Sequence, residues 1–148
     1  MDQYVIDTHA LLWYLAADRR IGNRAKEIIA KCEDGEVSIV VPSIVLIESI
    51  EIINKGRITY PINDLLKFSD ENPQFIVKPL DAEIINSYRN YQNPDNTIKL
   101  ECHDKIIIVT STLFGGIPIL TRDEDIEKVH STIWWTFLFG SACRFFAL

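Results

Sequence analysis

The sequence predicts an α/β fold in three layers, a central parallel sheet flanked by helices. Three observations predict it. Short β-branched and apolar runs (YVI at 4–6, VSIVV at 37–41, FIV at 75–77, IPIL at 117–120) alternate with segments of helical length and spacing along the whole chain. No internal repeat or low-complexity linker interrupts this rhythm. The 148 residues are 47% hydrophobic and 24% charged, an ordinary globular composition with enough apolar material for one core.

The elements follow in order. Tyr4–Asp7 reads as a short buried strand, and His9–Ala17 has the length and apolar content of a helix. Asn23–Cys32 is a second helix, with Ala25, Ile28, Ile29 and Cys32 on one face and the turn Glu33-Asp34-Gly35 at its end. Val37–Val41 is strand-like and Pro42 stops it; Ser43 then reads as the N-cap of a helix to about Lys55, closed by Gly56. Ile62–Ser69 is helical, Phe75–Val77 is a strand between Pro73 and Pro79, and Asp81 caps a helix to about Tyr91. After the loop Asn93-Pro94-Asp95-Asn96, an apolar helix spans Lys105–Phe114 and breaks at Gly115-Gly116. Ile117–Leu120 is a strand, Asp123–His130 a short helix and Ile133–Trp135 a last strand. Residues 1–135 make one domain, and 136–148 form an apolar tail.

A formal net charge of -6 argues against a dedicated basic face for nucleic acid. A carboxylate cluster holding divalent cations removes that objection, because it becomes a site for phosphates. Cys32, Cys102 and Cys143 are scattered, as in a reduced cytoplasmic protein, and offer no zinc spacing. Asp2 and Asp7 interrupt any signal-peptide core. The closing IWWTFLFGSACRFFAL is too short for a membrane span and contains Arg144, so it is expected to pack on the core or on another subunit.

Two apolar strands end in aspartate: YVI runs into Asp7, and IPIL runs through Thr121-Arg122 into Asp123. Each acid alone suits a helix N-cap. Together they would sit on one edge of a parallel sheet, where ligands bind beyond the carboxyl ends of the strands. Asp104, in LECHDKIIIVTS, stands directly before its helix and suits a first-turn acid; Cys102-His103 beside it lacks metal-ligand spacing. Glu48, Glu51 and Lys55 share the polar stripe of an otherwise apolar helix, Glu51 at the right spacing to pair with Lys55. Periodicity does not say whether Glu48 faces water or a ligand.

DTHALLW, VPSIVLIES, HDKIIIVTS, ILTRDEDI and the closing IWW, in this order and spacing, resemble the PIN domain family, and within it the VapC-type toxin ribonucleases of prokaryotic toxin–antitoxin pairs. The resemblance implies a PIN-like three-layer fold and an endoribonuclease dependent on Mg²⁺ or Mn²⁺. It puts the family's acidic quartet on Asp7, Glu48, Asp104 and Asp123, choosing Glu48 over Glu51, with Asp125 as an accessory metal ligand. It also makes Thr121 the hydroxyl that orients Asp7. A cognate antitoxin, an RNA substrate, a homodimer, a cytoplasmic location and no membrane association follow. An apolar surface around Leu11, Leu12 and Trp13 is the expected antitoxin contact, and the aromatic residues Trp134, Trp135, Phe137, Phe139, Phe145 and Phe146 the expected dimer contact. Val109-Thr110-Ser111 stands where the family usually has small residues, and the tail Thr136–Leu148 has no family counterpart.

The chemistry is coherent without the family name. Phosphodiester hydrolysis needs an activated water and a stabilised leaving oxygen, which hard cations on oxygen ligands supply. Four acids packed together without a cation repel. Two other readings compete. A metal phosphatase or amidohydrolase can open on Asp-Thr-His, but His9 and Leu11 stand where those sites want Asp and His, respectively. A non-catalytic binding module, with acids that only cap helices, predicts no divalent-cation effect on melting.

Overall fold

The computed structural model describes residues 1–135; the tail at 136–148 lies outside the described residues. Strand β1 (Gln3–Ile6) leads into helices α1 (Thr8–Leu15) and α2 (Asn23–Glu33), then β2 (Ser38–Pro42), α3 (Ser43–Asn54) and α4 (Ile62–Glu71). Strand β3 (Phe75–Lys78), helices α5 (Ala82–Asn90) and α6 (Cys102–Leu113), β4 (Ile119–Leu120), α7 (Glu124–Val129) and β5 (Thr132–Ile133) complete the domain. All strand pairs are parallel, in the order β3-β2-β1-β4-β5, with Tyr4 opposite Ile39 and Ile6 opposite Leu120. This is the α/β sandwich expected from the sequence.

The strand order fixes where a site can form. The chain steps outward from β1 to β2 to β3, then crosses back to β4 on the other side of β1. The switch therefore lies between the carboxyl ends of β1 and β4, where diverging connections leave a crevice. Val5, Ile6, Ile39, Val40, Ile119 and Leu120 are fully buried at the centre of the sheet, so the chain positions just beyond these strands are held firmly. Helix α1 packs on α2 and α3, whereas α6 packs on α5 and on β1 and β2.

Several local expectations are corrected. Leu11, Leu12 and Trp13 are not an exposed surface: they are 2%, 0% and 7% exposed and belong to the main core. An eight-residue helix held between the sheet, α2 and α3 has little face left for solvent. Pro42, not Ser43, occupies the N-cap of α3, and no side chain caps that helix. Helix α6 starts at Cys102, three residues ahead of the expected Lys105, because Glu101 and Asp104 form a reciprocal capping box. Asp104 is thus inside the first turn. Among the described residues, Glu51 and Lys55 form no ion pair.

The last strand ends earlier than expected, at Ile133, and Trp134 leaves the sheet to close α2. Helix α2 has Gly22 at its N-cap and no side-chain cap. The Trp134 carbonyl accepts from Arg24 N at 3.2 Å and Ala25 N at 3.3 Å, filling that role from a distant segment. A Cβ at position 22 would lie 2.2 Å from this carbonyl oxygen, so only glycine fits there. No helix among the described residues is long and apolar enough to cross a membrane.

Candidate functional site

Beyond β1 and β4 lies a cavity of about 450 Å³ whose lining includes Asp7, Glu48, Asp104 and Asp123. Four elements deliver these carboxylates. Asp7 is the residue after β1 and the N-cap of α1; its Oδ1 accepts from Ala10 N at 2.8 Å. Asp123 comes three residues after β4 and is the N-cap of α7, with Oδ1 accepting from Asp125 N at 2.8 Å and Ile126 N at 3.0 Å. Each acid therefore caps a helix and faces the cavity at once.

Thr121 joins the two. Its hydroxyl accepts from Asp123 N at 3.0 Å and donates to Asp7 Oδ2. Because the Asp123 amide can only donate, the hydroxyl proton is directed to Asp7. Thr121 is buried, so this link is shielded from water. Burial pushes the Asp7 carboxyl up to about 7; the bonds from Thr121 and Ala10 oppose the rise, and Asp123 and Asp104 add to it by repulsion.

Glu48 projects from α3, and its Oε1 accepts from Thr8 Oγ1 at 2.9 Å. Glu51, one turn on, is exposed and does not line the cavity. Asp104 Oδ2 accepts from Glu101 N at 3.2 Å, completing the capping box of α6. Burial raises the Asp104 pKa, with His103 opposing and Asp123 and Glu48 reinforcing. His103 Nε2 stands 3.6 Å from Glu48 Oε2 and 3.3 Å from Asp104 Oδ1, between the two acids. Asp125 is the one expected acid not brought to the cavity: it is exposed on α7, with Oδ1 4.0 Å from Lys128 Nζ.

Thr8, His9, Trp13 and Arg122 also line the cavity. The sequence held a signal for the first two, since they follow Asp7 directly. It held none for Arg122, or for the position of His103 between carboxylates of two different helices. Among the described residues, no three carboxylate, imidazole or thiol groups converge as a formed metal site. The donor chemistry nevertheless suits a hard cation: four carboxylates share a cavity, and Asp104 and Asp123 repel the charge of Asp7.

Solved structures share this fold. VapBC2 from Rickettsia felis bound to a promoter DNA fragment aligns with a TM-score of 0.64 at 11% identity, over 91% of this chain and 99% of that one. A toxin–antitoxin complex from Klebsiella pneumoniae aligns at 0.58 and 17% identity (88% and 95% covered). FitAcB from Neisseria gonorrhoeae aligns at 0.59 and 15% identity (88% and 96% covered). No curated protein matches the sequence. The family model described as PIN domain matches residues 4–131, a span that takes in most of β1, Asp7, β4, Asp123 and the helices from α1 to α7. The chain belongs to the PIN domain family.

Proposed function

We propose that this PIN domain is a divalent-metal-dependent endoribonuclease of the VapC type, the toxin of a toxin–antitoxin pair. The observation that carries the reading is the set of four carboxylates, Asp7, Glu48, Asp104 and Asp123, around one cavity at the sheet's switch point. These four residues would hold Mg²⁺ or Mn²⁺. Such a cation, when bound, supplies an acidified water and charge stabilisation for the leaving oxygen.

The chain's own residues do the rest. Thr121 holds Asp7 in one rotamer through its hydroxyl, so the carboxylate keeps a fixed edge toward the cavity. Thr8 does the same for Glu48. The helix N-termini behind Asp7 and Asp123 add positive potential to a site meant for phosphate. His103 stands between Glu48 and Asp104, within ion-pairing distance of both carboxylates. RNA is the expected substrate. The toxin–antitoxin complex of similar fold favours an antitoxin partner, and a homodimer is proposed with it.

The test is incubation of purified protein with structured and unstructured RNAs in Mg²⁺, in Mn²⁺ or in chelator, beside Asp104→Asn. Asparagine keeps the size and much of the capping capacity of Asp104. Internal cleavage that needs the metal and is mostly lost in the variant supports the reading. A Mn²⁺-induced rise in melting temperature should also shrink in the variant. Near wild-type cleavage by Asp104→Asn with an unchanged Mn²⁺ shift would falsify the assignment.

A further inference from the structure

Arg20 is held in an unusual way over Trp13, a residue that lines the acidic cavity. Its guanidinium lies over the Trp13 ring, 4.8 Å from Cζ to the ring centroid. Asp18 grips it from the side, Oδ1 accepting from Nε at 3.0 Å and Oδ2 from the terminal nitrogen at 2.8 Å. Asp18 Oδ1 also accepts from Arg20 N at 2.9 Å, which ties the backbone of the same turn. The guanidinium is thus held by indole and by carboxylate at once, yet the side chain remains 51% exposed. What it offers solvent is a guanidinium fixed at two points.

The indole that holds it borders the site. Trp13 is 7% exposed and lines the cavity together with His9, whose ring stands 5.3 Å from the indole. Arg20 is close enough for its charge to act on His9. The paired Asp18 carboxylate offsets much of the Arg20 charge, which weakens it as a phosphate anchor and leaves planar stacking as its stronger capacity. Unstacked RNA bases are recognised by stacking on aromatic or guanidinium planes, whereas a paired base in a helix has no free face.

We infer that the Trp13–Arg20 pair is a base platform: Arg20 receives one unpaired base flanking the scissile phosphate. This rests on the nuclease reading above and adds a specificity determinant to it. A purine, with the larger ring system, stacks better than a pyrimidine, so cleavage is biased toward sites with a purine at that flank.

Wild type, Arg20→Lys and Arg20→Ala are compared in Mn²⁺ on a single-stranded RNA and on the same RNA in a perfect duplex. Wild type should prefer the single strand, and both variants should raise KM on it about tenfold, with kcat changed far less, as expected for one lost stacking contact. A strand with 2-aminopurine at the flanking position should be quenched on mixing with wild type, before cleavage, and not with Arg20→Lys. Lysine keeps the charge and the reach to Asp18, so it carries the test even if Arg20→Ala unfolds. Full rescue by lysine would make Arg20 a charge contact and overturn the platform. Wild-type KM, quenching and cleavage pattern in both variants, with only a lower melting temperature, would reduce it to a structural staple. Those failures leave metal-dependent RNA cleavage by wild type intact, whereas a wild type that cleaves no RNA removes both proposals.

Discussion

Asp7 carries opposing demands in one side chain. It caps α1 and accepts from Thr121, both of which favour its carboxylate, yet burial and neighbouring acids hold its pKa near 7 against a reference of 3.8. The folded state therefore keeps a proton that the unfolded chain has already released between these values. Stability falls as pH rises through that window, and the penalty is complete above about pH 7. In chelator, the wild-type melting temperature should drop from pH 5 to pH 8. Asp7→Asn should flatten that slope and gain about 2 kcal/mol at pH 8. Parallel melting curves for the two proteins would contradict this. Thr121→Val tests the other half of the arrangement: it strands the Asp123 amide and removes the Asp7 donor, at about 1–3 kcal/mol by urea unfolding, whereas Thr121→Ser should restore most of it.

At the scale of elements, helix ends organise the site. Asp7, Asp104 and Asp123 all sit at or inside the first turn of a helix, where backbone amides fix their carboxylates. Helix α2 shows a different solution, a carbonyl delivered by Trp134 across the Gly22 backbone. Gly22→Ala drives a methyl into that oxygen and should cost about 2–3 kcal/mol, since neither backbone can yield without undoing the cap. Because Trp134 packs edge-on against Trp13 at 5.8 Å, the change should also alter tryptophan fluorescence. Wild-type stability by urea titration would show that the contact relaxes freely.

For the whole molecule, the nuclease reading has a cellular consequence. Expressed alone, the gene should arrest growth, and a small neighbouring gene should relieve the arrest; Asp104→Asn should be harmless. Good growth with high yield of an RNA-cleaving wild type would count against a toxin role. Burial of Leu11, Leu12 and Trp13 removes them as the antitoxin contact, so any partner must use another surface. Light scattering on full-length protein and on a truncation after Trp135 checks the proposed dimer and the tail's share in it. A full-length monomer at high micromolar concentration would refute the dimer.

The sequence by itself determined the order of strands and helices, the parallel sheet and the placing of Asp7 and Asp123 on one sheet edge. These rest on signals read within one segment: β-branched runs, helical spacing, and turn residues such as Asp81, which caps α5 as expected. Family resemblance, not periodicity, chose Glu48 over Glu51; the cavity then includes Glu48 and leaves Glu51 in solvent. Only the tertiary structure decided that α1 buries its apolar residues, that Trp134 caps α2, and that His103 stands between Glu48 and Asp104. It also left Asp125 beside Lys128 rather than in the cavity. Each of these depends on which segments meet across tens of residues. Spacing along one helix names the residues sharing a face, and only packing says what that face meets.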